Sequence, residues 1–182
     1  MVAHQYWPDT NAAFWVGNIA PDCINDWQTR EHFHLRHEPD MEKGLRNFEQ
    51  NIDENDFFTE GMLLHLFVDW QWGLDFIPRY IEQYKGTEWH GAYRRELGIL
   101  GAALYRQRVW IQKVWDEMLG SDIPSFLTDM GASAESITEM MTKANAERVE
   151  TINLMPQFYD IDEVKAFTVK AAKDYTNWRI KP

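Results

Sequence analysis

A histidine and an aspartate lie four positions apart in the most apolar stretch of the chain. His65 and Asp69 stand among leucines and aromatic residues, with Asp69 between Val68 and Trp70. In a helix, residues four apart lie on the same face, one turn apart. A buried carboxylate requires a cation or several hydrogen-bond donors. The two residues therefore form either a structural hydrogen-bonded pair or two ligands of a divalent metal ion.

Three further histidines fall within six positions upstream. His32, His34 and His37 belong to an acidic region that also contains Asp22 and Asp26. One such histidine alone is most simply a solvated loop residue, but imidazoles and carboxylates together are ligands of zinc and other first-row metals. The residue types predict a metal site that combines part of this group with the downstream histidine and aspartate.

The elements that must position these residues are helices. Strand patterns are nearly absent and apolar residues recur at helical spacing, which predicts an all-α fold. The segment from Glu60 to about Phe76 is apolar on all sides, which predicts a central, buried helix that Pro78 kinks or ends. Residues 18–40 show little periodicity, so we expect a long loop with short helical turns, a kind of segment that carries function.

Three amphipathic helices are predicted in the second half of the chain. A long helix spans residues 93–120, and Gly98 and Gly101 would let another helix approach it closely. A second helix has Ser133 as its N-cap and ends at about residue 149. A third starts after Asp160 or Asp162 and runs nearly to the end. The apolar faces of all three are ordinary core.

Length and charge narrow the possible functions. The chain has 182 residues, a net charge of −11 and no internal repeat, which predicts one domain over residues 1–182. Its site elements fall in residues 14–72 and its supporting helices in residues 90–180. Strong acidity argues against non-specific binding of nucleic acid or anionic membrane, and no stretch is apolar enough to span a bilayer. The single cysteine, Cys23, and the lack of a signal segment predict a cytoplasmic protein.

Four segments occur in an order that resembles a known family. They are Phe14-Trp-Val-Gly-Asn-Ile-Ala-Pro-Asp22, Asn25-Asp26-Trp27, Glu31-His32-Phe33 and Gly61-Met-Leu-Leu-His65-Leu-Phe-Val-Asp69-Trp-Gln-Trp72. Together they resemble the small bacterial members of the zinc-dependent phospholipase C family, whose superfamily includes the zinc-dependent single-strand nucleases. The resemblance covers about residues 14–72 and implies an α-helical fold.

The resemblance also implies a metal site. In it, zinc is held by Asp22, a loop histidine, His65 and Asp69, and Asp69 bridges when two ions bind. The loop histidine is assigned to His32, which precedes a phenylalanine, with His34 as the alternate. The implied cofactor is one or two zinc ions, or another divalent first-row metal.

The implied activity is metal-assisted hydrolysis of a small phosphoester. Asp22 or Asp26 is a candidate general base. A three-metal site is not predicted, because His4 is a poor match to the family's N-terminal helix histidine and only His90 follows the His-x-x-x-Asp helix. Whether His4, His37 or His90 joins the site stays open at this point.

Two other functions stay open. A helical-bundle metal protein of the thiol-transferase type would bind its metal through three histidines. A non-catalytic remnant of the hydrolase fold would act as a binding or structural module, and it would pair Asp69 with a cation of the protein. The carboxylate-rich ligand set favours phosphoester hydrolysis over the thiol-transferase type.

Overall fold

The computed structural model describes residues 1–53, 55–85, 88–108, 110–126, 132–151 and 153–180. These parts of the chain form ten α-helices and two short 3₁₀ helices without a β-strand, so the all-α prediction is confirmed. The α-helices are α1 (Val2–Tyr6), α2 (Ala12–Ile19), α3 (Trp27–Phe33), α4 (Met41–Glu49), α5 (Phe57–Asp75), α6 (Ile77–Gln83), α7 (Trp89–Arg106), α8 (Trp110–Leu119), α9 (Ala134–Thr151) and α10 (Ile161–Arg179). The 3₁₀ helices are Ala20–Cys23 and Ile123–Phe126. None of the described helices is both long and apolar enough to cross a membrane.

Helix α5 is the predicted central helix. The carboxylate of Asp56 caps it by accepting a hydrogen bond from the Thr59 amide at 3.0 Å. The first half of α5 is buried, but Leu74 near its end is exposed, so the burial is less complete than predicted. The helix ends at Asp75. Pro78 lies in the first turn of α6, where a missing amide hydrogen costs no helical bond, and it ends α5 as predicted.

Helices α2 and α5 cross in direct backbone contact, at one glycine from each. A Cβ atom at Gly17 would lie less than 3.0 Å from the carbonyl oxygen of Phe58, and one at Gly61 equally close to that of Phe14. Any larger residue would force the two backbones apart. The side-chain amide of Asn18 also donates a hydrogen bond to the Gly61 carbonyl oxygen at 3.1 Å. The crossing therefore fixes the position of α2 along α5.

Close helix packing was predicted at Gly98 and Gly101, but it occurs at Gly17 and Gly61. A Cβ at Gly98 or Gly101 in α7 would meet no atom within 4 Å among the described residues. An alanine would fit at either position. A glycine in a helical pattern does not reveal whether a second helix lies against it, and in this fold the contact falls in the first half of the chain.

The predicted helix over residues 93–120 is instead two helices, α7 and α8. Its apolar series steps by seven residues between Leu104 and Ile111, and α7 ends inside this gap. At the break, the Arg106 guanidinium donates a hydrogen bond to the Leu154 carbonyl oxygen at 3.1 Å. The missing apolar turn marks the place where one helix ends and the next begins.

The starts of α9 and α10 are confirmed by their caps. Ser133 Oγ accepts a hydrogen bond from the Ser136 amide at 3.1 Å. The Asp160 carboxylate accepts bonds from the amides of Asp162 and Glu163 at 2.8 and 2.9 Å. Of the two aspartates considered for α10, Asp160 is therefore the N-cap.

Helix α10 is joined to α4 and α5 by a set of charged side chains that we call the Glu60 network. Glu60 is buried, and its two carboxylate oxygens accept hydrogen bonds from the Tyr175 hydroxyl and the Arg179 guanidinium, both at 2.8 Å. The two oxygens of Glu49 accept bonds from Arg179 and from Arg46. Each of the four carboxylate oxygens thus faces its own donor.

Residues 18–40 contain more helix than predicted. The 3₁₀ helix follows α2 directly, and α3 forms a regular helix of seven residues. Asp26 caps α3, accepting a hydrogen bond from the Thr29 amide at 2.7 Å. Turns complete the segment as far as α4. A 3₁₀ turn and a helix of about two turns are too short to produce a visible apolar period.

Candidate metal centre

Four polar side chains meet where the 3₁₀ helix, the end of α3 and the middle of α5 come together. The Nε2 atoms of His34 and His65 lie 3.4 Å apart. The Asp22 carboxylate lies 3.6 Å from His34 Nε2 and 4.0 Å from His65 Nε2. Asp69 Oδ2 lies 3.8 and 3.7 Å from the same two nitrogens. We call these four residues the metal cluster.

Each imidazole is oriented by a backbone carbonyl group. His65 Nδ1 lies 2.8 Å from the carbonyl oxygen of Asn18, and His34 Nδ1 lies 2.8 Å from that of Arg30. A carbonyl oxygen can only accept, so both Nδ1 atoms carry the hydrogen. In the neutral rings, both Nε2 atoms therefore present a lone pair to the cluster.

The metal cluster thus brings acceptor atoms face to face. Two imidazole nitrogens and two carboxylate oxygens converge, and a proton or a metal ion is needed to offset their repulsion. A tetrahedral ion with bonds of about 2.1 Å separates its ligand atoms by about 3.4 Å. The observed separations of 3.4–4.0 Å are close to this value. The donor set and its spacing therefore fit a divalent metal such as zinc.

Three of the four residues are mutually close. One ligand atom from each of Asp22, His34 and His65 lies within 4.8 Å of the other two. Asp69 approaches both imidazoles but lies outside this set of three. It stands where a fourth ligand, or a proton acceptor beside the ion, would stand.

Local structure places each member. The glycine crossing brings the last turn of α2 against α5, so the Asn18 carbonyl oxygen reaches His65. Asp22 lies in the 3₁₀ helix that directly follows α2. His34 is the first residue beyond α3, and Leu35 after it has a φ of +56°, in the left-handed region that is uncommon for a residue with a side chain. This turn lets His34 face the cluster while the chain leaves toward α4.

Charge within the metal cluster shifts two pKa values. Burial lowers the pKa of His34, but hydrogen bonds to Asp22 and to the Arg30 carbonyl and the charge of Asp69 more than reverse this, so the pKa is raised. Desolvation raises the pKa of Asp22, but His34, His65 and Arg30 outweigh it and hold the pKa well below its usual range. A proton on His34 is therefore the natural competitor of a metal ion, and metal binding should strengthen as the pH rises.

Two arginines lie at the mouth of the metal cluster. Arg30 Nη2 lies 2.5 Å from Asp22 Oδ1, and Arg36 Nη2 lies 3.9 Å from Asp69 Oδ2. Neither arginine was among the predicted site residues. Arg30 could have been predicted from the sequence, because it lies four positions before His34 and residues four apart in a helix are neighbours. Arg36 could not, because its direction depends on the turn at the end of α3.

His32, the first choice for the loop histidine, lies away from the cluster. It is exposed, and its ring stacks on His37 with the centroids 4.8 Å apart. Because α3 is helical through Phe33, residues two apart point in directions about 200° apart around its axis. The alternate, His34, is the histidine that the structure brings to Asp22 and to the HxxxD pair.

The other candidates have structural partners elsewhere. Asp26, a candidate base, is the exposed cap of α3, and hydrogen bonds from Thr29 lower the pKa of its carboxyl. Two histidines left open by the sequence stack on tryptophans at centroid distances of 3.7 Å, His4 on Trp110 and His90 on Trp89. His37 lies 3.4 Å from Glu38 at the surface. None of these belongs to the set of three close ligand atoms.

The geometry described above comes from this chain alone. The chain matches no protein-family model, no curated protein and no solved structure. The resemblance to the zinc-dependent phospholipase C family therefore rests on the four segments quoted from the sequence, and the convergence of Asp22, His34 and His65 is independent of it.

Proposed function

We propose that this protein binds a divalent first-row metal ion, zinc before the others, and uses it to hydrolyse a small phosphoester. The observation that supports this proposal is the convergence of Asp22, His34, His65 and Asp69, in which the two Nε2 atoms lie 3.4 Å apart and 3.6–4.0 Å from oxygens of both carboxylates. Two nitrogens and two oxygens are a ligand set that zinc accepts. We propose one ion, because one ligand atom from each of Asp22, His34 and His65 lies within 4.8 Å of the other two.

The residues then have distinct roles. When bound, the ion supplies a Lewis acid that activates water and neutralises charge on the phosphoryl oxygens. Asp22, His34 and His65 hold it. Asp69 lies beside them and is positioned to accept the proton of the attacking water. The role of general base thus moves from Asp22 or Asp26 to Asp69, because Asp22 is needed as a ligand and Asp26 caps a helix.

The ligand set favours this function over the three-histidine thiol-transferase type. In the described part of the chain, two imidazoles converge, and the remaining members of the cluster are carboxylates. Carboxylate ligands keep the ion a hard acid, which suits binding of phosphoryl oxygen rather than thiolate sulfur.

A second candidate is a non-catalytic module on the same fold. One contact favours it, because Arg30 lies 2.5 Å from Asp22 and so already offers that carboxylate a cation of the protein. The expected partner of Asp69 is less convincing, since Arg36 lies 3.9 Å away. This candidate predicts a stable cluster without metal.

Metal binding tests the two candidates. The protein would be purified without a chelating tag, stripped with a chelator and titrated with zinc and manganese by calorimetry. We expect one ion per chain in wild type and binding weaker by about 100-fold or more in His34→Ala. His32→Ala is the matched control, since it removes an exposed histidine two residues away, and it should bind like wild type.

Hydrolysis of p-nitrophenyl phosphate and bis(p-nitrophenyl) phosphate by the metal-loaded protein completes the test. Equal metal affinity of His34→Ala and wild type would contradict the site. Metal binding with no hydrolysis of either ester would favour the non-catalytic module. Hydrolysis that is lost in His34→Ala and kept in His32→Ala would support the proposed function.

A further inference from the structure

The two arginines at the mouth of the metal cluster influence which charge a small molecule bound there should carry. Arg30 and Arg36 flank His34 in the sequence, and each guanidinium reaches a different carboxylate of the cluster, Asp22 or Asp69. The same short segment therefore supplies one imidazole ligand and both cations. Both guanidinium groups therefore lie beside carboxylates that approach the two imidazoles.

The charged side chains, and not the imidazoles, form the open side of the cluster. The side chains of Asp22 and Asp69 are 45% and 38% exposed, and those of Arg30 and Arg36 are 35% and 59% exposed. His34, by contrast, is buried. A small molecule approaching from solvent thus meets the two guanidinium groups before it meets the imidazoles.

The sum of charges at this opening depends on the ion. The two carboxylates and the two arginines cancel, and an imidazole that binds a metal ion through Nε2 carries no charge of its own. A divalent ion therefore leaves the opening with two positive charges in excess. A dianion would neutralise it, whereas a monoanion would leave one charge unpaired.

We infer that the metal cluster takes a phosphomonoester, a terminal phosphate dianion, in preference to a phosphodiester. This inference rests on the proposed function. A monoester phosphate has three terminal oxygens for three cationic partners, the ion, Arg30 and Arg36. A diester has two such oxygens and carries one charge. Arginine suits the task, because its planar group has five N–H donors and one bond to a carboxylate leaves the others available.

The reaction that follows from this assignment is balanced without any further reactant. A water oxygen forms a new bond to phosphorus while the bond from phosphorus to the ester oxygen breaks. The proton taken up by Asp69 passes to the leaving alkoxide, and the products are an alcohol and inorganic phosphate. Inorganic phosphate is therefore both the product and a direct probe of the opening.

The overall charge of the chain is compatible with this ligand. At −11, the protein repels long polyanions, which would have to lie along its acidic surface. A single phosphate interacts mainly with the local charges of the opening, because more distant charges are screened within about 10 Å at moderate salt. The overall charge therefore opposes binding of nucleic acid but does not prevent binding of a single phosphate group.

Binding of two probes to the zinc-loaded protein tests the inference without measuring turnover. The probes are inorganic phosphate and dimethyl phosphate, a dianion and a monoanion at pH 8, titrated by calorimetry after removal of free zinc. We expect inorganic phosphate to bind about tenfold tighter or more, since each charge-assisted contact contributes about one factor of ten. Hydrolysis should show the same preference, with the monoester cleaved faster than the diester.

Arginine variants show whether the preference comes from the opening. We expect Arg30→Gln to weaken phosphate about tenfold and Arg36→Gln about threefold, because Arg36 is more exposed. Zinc affinity should stay equal or increase in both, since each loses a positive charge near the ion. Arg95→Gln is the matched control, an exposed arginine on α7, and should bind phosphate like wild type.

The outcomes separate the inference from the proposed function. Equal affinity for the two probes, or an unchanged phosphate affinity in both arginine variants, would overturn the inference while leaving metal binding and hydrolysis intact. Absence of zinc binding in wild type would overturn both. Selective phosphate binding that depends on Arg30 and Arg36 would support it.

Discussion

Two groups of charged side chains contact α5, and they differ in how acceptors meet donors. In the Glu60 network, the four carboxylate oxygens of Glu49 and Glu60 each accept a bond from a hydroxyl or a guanidinium. In the metal cluster, the N–H groups of both imidazoles turn away to backbone carbonyls, so acceptor atoms face one another. The first group has a donor for each carboxylate oxygen, and under the proposed function the second is completed by a bound cation.

The difference shows that burial of charge does not by itself identify a binding site. Glu60 and His34 are both buried and both have close partners. The two groups differ in whether each acceptor atom faces a hydrogen-bond donor. Acceptors that face one another leave a place for a cation. The following substitutions test that distinction, in order of expected effect on stability.

The largest effect is expected from the glycine that serves both groups. Gly61 follows Glu60 directly and precedes His65 by one turn of α5. In Gly61→Ala, the new Cβ would press on the Phe14 carbonyl, so we expect the free energy of unfolding to fall by about 3 kcal/mol, with weaker zinc binding. Urea denaturation followed by circular dichroism measures the first and calorimetry the second.

The control for this substitution is Gly98→Ala in α7. Because a Cβ there meets no described atom within 4 Å, the variant should be as stable as wild type or gain up to about 1 kcal/mol from helix propensity. A Gly61→Ala protein with wild-type stability would mean that the crossing is looser than described.

A carboxylate-to-amide change in the Glu60 network should destabilise the fold. Glu60→Gln removes the negative charge of the carboxylate that accepts hydrogen bonds from Arg179 and Tyr175. We expect the free energy of unfolding to fall by about 2 kcal/mol. Zinc affinity should be unchanged. The same substitution at Glu163, an exposed residue paired with Arg79, should cost less than about 0.5 kcal/mol. Equal effects at the two positions would argue against the network.

Alkaline pH should weaken the same network. Burial, reinforced by the Glu60 charge, raises the pKa of Tyr175 well above its usual value. The unfolded chain then releases the tyrosine proton first, so stability is intact below about pH 10 and falls as the pH rises toward the folded-state pKa. Between about pH 10 and 11, wild type should lose up to about 1.4 kcal/mol more than Tyr175→Phe. Parallel urea profiles for the two proteins would contradict this.

The carboxylate-to-amide change in the metal cluster should act in the opposite direction on the metal-free protein. In Asp69→Asn, the new amide hydrogens face the lone pairs of His34 and His65. At about pH 8, we expect the free energy of unfolding to stay equal or rise by up to about 1 kcal/mol, and zinc affinity to fall about tenfold. Asp75→Asn, near the end of the same helix, should change neither. A destabilised Asp69→Asn would show that the cluster is already complete without a cation.

Helices with a continuous apolar face were predictable from the sequence, and junctions were not. The start of α9 at Ser133 and that of α10 at Asp160 followed from a cap before a period of apolar residues. The break after Arg106 and the short helix α3 could not be predicted in this way. A segment of seven residues or fewer is too short to show an apolar period. The glycine crossing was missed, since a sequence shows which residues are small and not which backbones meet.

The candidate site was predictable to the extent that it lies on one helix. His65 and Asp69 share a face of α5 through their spacing alone. The choice between His32 and His34 depends on whether the backbone is helical there, because residues two apart in a helix point in directions about 200° apart. Arg36 was missed because its direction is set by the turn at Leu35, whereas Arg30 lies within α3, four positions before His34.

The two carbonyl groups that orient the imidazoles belong to helix ends. Asn18 lies in the last turn of α2 and Arg30 in the last turn of α3. Peptide dipoles leave a partial negative charge of about half an elementary charge at such an end. Both helices thus direct negative potential at the imidazoles, which favours a cation and opposes an anion. We therefore expect an order of binding in which the metal ion enters before phosphate, and phosphate leaves before the metal ion.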